Sequence, residues 1–451
     1  MSGLVEIAYA YPSASVLDRS ASDGRAALTL ATSGGNAGDA ALFVGTAREA
    51  DVVADGLLAI AAVARSRFHV PAAMLARLIL AADPIVTVAD DRLRFESLSA
   101  CAGVYARLDL LGEAVDGSVI GRGTTNVDLG PELRAALATV DDREPLGLMI
   151  GTDSVTVRSG GALVEERRVP LPSRWIRSLT EVATIAPTLE PVAVLEHGPA
   201  LHLLREAMRL PVNRAAWVVA GGRAARIAHH AATGSVAATG LGRLRPTERF
   251  LRHLHRLTLY AGRDGTTGWQ IDVEDARLTV VLSPEAWRGF SGEGRTVEVL
   301  ATARTGSAAR LRAALRWRSA VGAEDLARKT GMDAEAVRAG LGLLATAGVV
   351  GYDQADGAYF HRELPFDLAA MDRRQPRLAG AESLVQQGRV RMAESGDAGV
   401  VAWVGGTGVE HRVSIAADGA AACTCPWFAR HGGERGPCKH VLAVELHLVD
   451  T

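Results

Sequence analysis

Three of the four cysteines in this 451-residue chain fall within sixteen positions near its end, and a histidine follows two residues after the last of them. Cys423-Thr424-Cys425 and Cys438-Lys439-His440 are separated by twelve residues, so the spacing is Cys-x-Cys, twelve residues, Cys-x-His. Three thiolates and one imidazole are the full donor set of a tetrahedral zinc site. Four protein ligands leave no position for water or substrate, so the pattern predicts one structural Zn2+ and no chemistry at the metal. By spacing alone, His431 in the loop and His447 further along compete with His440 for the fourth position.

The flanking residues give the motif a setting. Val400–Val404 and Val409–Ile415 alternate across Gly405-Gly406-Thr407-Gly408, which predicts a hairpin. Ala420–Thr424 reads as a third strand leading into the first two ligands. Pro426 redirects the chain, and Gly432-Gly433 and Gly436-Pro437 let the loop fold back. Cys438-Lys439-His440 opens a helix continued by Val441, Leu442, Val444, Glu445 and Leu446. A helix N-terminus favours the thiolate form of a cysteine in its first turn.

With its Cys-Pro-Trp-Phe and Cys-Lys-His-Val-Leu-Ala-Val contexts, this region resembles the SWIM zinc finger. The resemblance makes Cys423, Cys425, Cys438 and His440 the ligands, ahead of His431 and His447. Trp427, Phe428, Arg430, Arg435 and Lys439 are the candidate partner-binding residues. An aromatic pair beside basic groups can stack a base or grip a peptide, or it can cover the metal.

Residues 303–370 carry a second pattern. Ser307–Trp317 predicts a helix, Glu324–Thr330 a short second one, and Gly331 a turn. Asp333 is a good N-cap for a third helix, whose Val337, Leu341 and Leu344 share one face. Gly348 ends it, and an Asp356-Gly357 turn joins two short strands. This order resembles a winged helix-turn-helix. Many such folds lay the third helix in the DNA major groove. Here that helix offers Asp333, Glu335 and one basic residue, Arg338, and the wing adds Asp353 and Asp356. Sequence-specific base readout is not expected from that surface.

Residues 1–302 read as a large mixed region of one or two domains. Ala47–Arg67 and Pro71–Ala81 predict helices, and Ile85–Val88 and Leu93–Phe95 predict strands around Asp90-Asp91. Further strands are expected at Leu146–Ile150, Ser154–Arg158, Ala162–Val169, Trp217–Ala220, Ala225–Ala228, Ser235–Ala238, Trp269–Val273 and Leu278–Leu282. Helices are expected at Ser173–Ala186 and Pro246–Leu257. Gly121–Asn126 lacks both phosphate-loop patterns and reads as a structural turn. Cys101 is expected to be buried and inert, and His229-His230 and the pair His253 and His255 to be ordinary surface or cap residues. No nucleophile–base or carboxylate pair stands out, so an enzyme is not expected.

The overall class is therefore α+β and multidomain: a mixed region (1–302), a winged-helix-like segment (303–370) and a zinc-finger module (371–451). Composition bounds the partners. With 49 basic and 51 acidic residues the chain is no polycation, so any DNA or RNA contact must be a local patch. Only Lys329 and Lys439 are lysines, and that bias is one of coding composition rather than of phosphate recognition. Clustered cysteines fit a reducing compartment, and no signal peptide or membrane span is expected, so the expected location is cytoplasmic. Segments such as Cys101–Arg107, Gly123–Asp128 and Ser283–Gly294 also resemble a bacterial SWIM-protein family. That resemblance implies a MoxR-type AAA ATPase and a von Willebrand factor A protein as partners, and no defined reaction. Two alternatives to an adaptor are a DNA-binding regulator and an enzyme with its site before residue 303.

Overall fold

The computed structural model describes residues 7–9, 16–18, 26–30, 41–68, 83–126, 129–141, 146–151, 169–171, 173–285, 289–290, 308–364, 376–396, 399–406, 408–417, 420–432 and 436–450. The helix expected at 71–81, the strand at 154–158 and all of the strand at 162–169 but Val169 lie outside them.

An eight-stranded antiparallel sheet frames the first part of the chain. Its order is Glu190–Glu196, Arg256–Ala261, Thr267–Asp272, Ala276–Leu282, Val104–Leu111, Arg92–Leu98, Ile85–Val88 and Gly123–Asn126. The helix Ala50–Arg65 buries Leu57, Ile60 and Val63 against this sheet. Gly56 permits the approach, since a Cβ there would stand 2.7 Å from the Leu108 side chain. Cys101 is buried, as its residue type suggests.

Three local expectations are corrected. Gly123–Asn126 is an edge strand and not a turn. Its threonines are β-branched and suit a strand, and Thr124 Oγ1 lies 3.0 Å from Thr87 Oγ1 across the pair. The helix expected at Pro246–Leu257 is instead a 3-10 segment, Leu241–His253, followed by the strand Arg256–Ala261. Pro246 brings no N–H to an α-helical ladder and its ring crowds the preceding turn. Beyond it, Leu257 and Leu259 alternate with exposed or polar neighbours and join the sheet core. His253 is not a plain surface residue: its Nε2 lies 2.9 Å from the buried Asp55, which also accepts from Arg249 and Arg252.

The helices Ala308–Leu315, Ala323–Thr330 and Ala334–Thr346 precede a hairpin of Val350–Asp353 and Ala358–His361. Asp333 caps the third helix, its carboxylate accepting from Glu335 N (2.8 Å) and Ala336 N (3.3 Å). Gly348, at φ 69°, ends it in the left-handed conformation that favours glycine. Val337, Leu341 and Leu344 are buried, and Ala183 of the helix Ser173–Ile185 shares their core. That helix packs directly on the third one.

The hairpin is plugged into the central sheet. Asp353, read from sequence as part of an acidic wing surface, is fully buried. It meets Arg94 Nη2 at 2.9 Å and Arg107 Nη2 at 3.0 Å, and both arginines also hold Asp109. Arg107 Nη1 donates to Tyr352 O at 2.7 Å. Asp356 takes Arg92 at 2.6 Å and Arg277 at 2.9 Å. Glu96 is bridged by Arg362 and accepts from Tyr105 Oη at 2.7 Å. Phe360 lies beneath the Arg94 guanidinium, 4.2 Å from the ring centre. The fully buried members, Arg94, Arg107 and Arg362 against Glu96, Asp109 and Asp353, balance in charge. Burial alone would raise the Asp353 carboxyl, but Arg107 and Arg94 hold it well below the usual carboxylate range.

The last part of the chain is a four-stranded sheet, Val390–Gly396, Gly399–Gly405, Glu410–Ala416 and Ala421–Cys423, in that order. The helices Pro376–Gln386 and Lys439–Asp450 pack on one another and on this sheet. It has its own core, built from Ala381, Leu384, Ala402, Val404, Val413, Val441, Leu442 and Val444.

Candidate metal centre

The metal motif is assembled from two element ends. The strand Ala421–Cys423 is held by Val413–Cys423 pairing and delivers the first sulfur. Cys425 is the N-cap of a short helix, Pro426–His431, that begins at once. This helix was not expected from sequence, although a proline just after a capping residue is its usual start. Its sulfur accepts from Phe428 N at 3.3 Å. Gly432, at φ 55°, ends the helix. Cys438 and His440 then sit at the start of the helix Lys439–Asp450.

Cys423, Cys425, Cys438 and His440 converge, with their candidate ligand atoms all within 4.8 Å of one another. All four residues are buried. A zinc tetrahedron with Zn–S of about 2.3 Å sets neighbouring donors about 3.8 Å apart. Cys423 Sγ and His440 Nδ1 stand 3.9 Å apart, close to such an edge. His440 Nε2 is buried without a hydrogen-bond partner in the protein. A metal on Nδ1 fits the 3.9 Å edge and leaves the ring proton on Nε2. The residues therefore fit Zn2+, the ion that suits a compact sulfur-and-imidazole donor set. His431 and His447 are not in the cluster.

Of the three thiols only Cys438 is biased toward the thiolate, and burial pushes Cys425 the other way. The Cys423 thiol and the backbone N–H groups of His440 and Val441 bond to Cys438 and pull it below the ordinary thiol range. Cys423, on the other side of that shared hydrogen bond and also buried, is pushed up in exchange. A metal replaces the shared proton, so binding releases protons and strengthens with pH. His411 packs its ring 4.4 Å from that of His440, and burial followed by this neighbour holds its imidazole below the ordinary value.

A cleft of about 440 Å³ opens onto the ligands Cys425, Cys438 and His440 and onto His411. Its walls come from the hairpin tip (Gly406, Val409), the short helix (Pro426, Trp427), the last helix (Lys439) and Arg377. Trp427 and Phe428 are half-buried and pack on the module core. The Arg377 guanidinium lies over the Trp427 ring at 4.8 Å, and His431 approaches the same ring at 4.9 Å. Lys439 and Arg430 are exposed, and Arg435 lies outside the described residues. Sequence reasoning missed Arg377, Val409 and His411, which come from the module's first helix and from a hairpin. Nothing in the Cys-x-Cys spacing points to them.

The SWIM zinc finger profile matches residues 411–449, so the chain carries a SWIM zinc finger domain there. No curated protein matches the sequence. Among solved structures, the chain is similar to the proliferating cellular nuclear antigen of Entamoeba histolytica. The match has 11% identity and a TM-score of 0.33, and covers 54% of this chain and 99% of that one. The PCNA2-PCNA3 complex of Sulfolobus tokodaii gives 9% identity, a TM-score of 0.33 and the same coverages. Likeness this low assigns no fold. Among the described residues no helix is long and apolar enough to cross a membrane.

Proposed function

We propose that this protein is a non-enzymatic adaptor, in which zinc fixes the C-terminal module and the module presents a surface to a partner. The observation that carries this reading is the set of four buried donors, three of which line a cleft of about 440 Å³. Zinc bound by Cys423, Cys425, Cys438 and His440 has no open position, so its contribution is to cross-link a strand end to a helix start.

The winged-helix-like segment serves in this reading as an internal connector. Its third helix packs its inner face on Ser173–Ile185 while Asp333, Glu335 and Arg338 stay exposed, and its hairpin is largely buried in the central sheet. The hairpin that such folds lay on DNA is thus engaged within the chain, and the exposed face of the third helix offers two acidic residues and one arginine, which favours an adaptor over a sequence-reading regulator. The partners implied by the family resemblance are a MoxR-type AAA ATPase and a von Willebrand factor A protein.

A tagged pull-down from the native host, with and without nuclease, tests the reading. Protein partners retained after nuclease treatment are expected. Loss of every partner on nuclease treatment, with retention of nucleic acid in the untreated sample, would overturn it.

A further inference from the structure

We propose that the outer face of a small sheet in the first part of the chain binds single-stranded nucleic acid, with Trp217 stacking a base and Arg226 and Arg223 meeting the flanking phosphates. The sheet is formed by Ala224–Ala228, Trp217–Gly221 and Ser235–Ala237, in that order. The site is separate from the zinc module and additional to the adaptor role.

Register divides the two faces. Val218 lies opposite Ile227 and Val236, and all three join the main core, against which the helix His197–Arg209 also packs. Trp217 and Val219 alternate to the other face. Both are partly exposed, and among the described residues neither belongs to a buried cluster. Trp217 sits on the central strand between Ala228 and Ala237, so only small side chains flank its ring. Among the described residues no second ring or guanidinium stacks on it. An open aromatic face is what single-strand binding uses.

The charge around that ring is of one sign. Arg226 lies opposite Val219 and so shares the face, diagonal to Trp217 at a spacing of about 7–8 Å. Arg223 sits at the tip of the adjoining turn, beside Gly222 at φ 58°. Arg214 precedes Trp217 by three residues. All three arginines are exposed, and among the described residues their side chains enter no ion pair or hydrogen bond. Residues 207–247 contain no aspartate or glutamate, where the chain's mean of 51 in 451 would place about five. Arginine in place of lysine is general to this chain, but the missing acid is local. Unpaired cations without nearby carboxylates concentrate an anion at the surface.

An acidic peptide is the competing occupant. Ala228, Ala237 and Ser235 make up much of the remaining face, so it offers little relief for peptide side chains. A base needs only the ring, and its own phosphates reach the arginines.

The test uses the full-length, zinc-loaded protein and fluorescence anisotropy across a salt series. The probes are labelled oligo-thymidylate, oligo-uridylate, a DNA duplex of equal length and polyglutamate of matching charge. Binding of at least one single-stranded probe above duplex and polyglutamate is expected. Trp217→Ala should weaken it about tenfold at every salt concentration. Arg226→Ala should instead flatten the slope of log K against log salt by about 0.7, and Arg223→Ala should do the same. Both arginines are exposed, so the arginine variants keep the test alive even if Trp217→Ala fails to fold. No binding of either single strand, equal or tighter binding of duplex or polyglutamate, or a salt slope unchanged in both arginine variants overturns the proposal. Protein partners kept after nuclease treatment should be the same for Arg226→Ala as for the wild type, so failure here leaves the adaptor role standing.

Discussion

Replacing Asp353 with alanine removes one anion from a buried set that is otherwise neutral, and it does so far from the metal. The carboxylate touches Arg94 at 2.9 Å and Arg107 at 3.0 Å, with Arg277 at 3.6 Å and Arg92 at 3.7 Å. At an effective dielectric near 20, each of the two closest contacts is worth about 5 kcal/mol before desolvation is counted. Arg94 and Arg107 would keep only Asp109 between them, leaving an uncompensated cation in the interior. Breaking a buried pair in this way costs about 3–5 kcal/mol, whereas the pair as a whole adds little over an apolar substitute. Asp353→Asn, which keeps the shape, should fall within the same range if charge is the cause. Hydrogen exchange, read separately on Arg92–Leu98, Val350–His361 and Ala421–Cys423, is the assay. Protection should fall in the first two segments and hold in the third. A loss below about 1 kcal/mol in the first two, in both variants, would refute the burial and balance of this cluster.

Three further outcomes follow. The folded Asp353 carboxyl lies below its ordinary value, so its stabilisation is complete above the unfolded pKa of about 3.9 and lost as pH falls through the folded one. The stability gap between wild type and Asp353→Asn should therefore narrow below about pH 4 in urea titrations, and a gap that widens there contradicts the assignment. Cys438→Ser should lose the metal by elemental analysis and unfold the C-terminal sheet, and stoichiometric zinc retained in that variant would refute the ligand set. Asp333→Ala removes the side-chain cap of the third helix and should cost about 1 kcal/mol in thermal or urea unfolding, with zinc content unchanged.

The zinc site was legible because its chemistry is written in residue type and short spacing. Cys423, Cys425, Cys438 and His440 lie within eighteen positions, and each pair is placed by a strand end or a helix start. The third helix was legible for similar reasons, since its cap, its apolar face and its stop are local signals. The hairpin strands were also visible, but what they touch was not. Asp353 reaches Arg94 across 259 residues, and no periodicity reports a partner at that distance. An isolated acidic residue near an Asp-Gly turn looks like surface until the sheet that receives it is known. The same limit hid the cleft, whose walls come from residues 377 to 440 and include positions with no motif of their own.

The buried exchange of charge between hairpin and sheet also decides where this chain can be divided. Cutting it near residue 302, where the sequence pattern changes, would strip Asp353 and Arg362 from Arg94, Arg107 and Glu96. The piece up to residue 302 would have to solvate Arg94 and Arg107 with only Asp109 between them, and the Glu96 carboxylate, on the face of a sheet. The C-terminal module is different, because its core is drawn entirely from residues 381–446. Among the described residues no buried cluster spans both sides of residues 365–375, so 1–364 and 376–451 expressed separately should each unfold cooperatively in thermal melts.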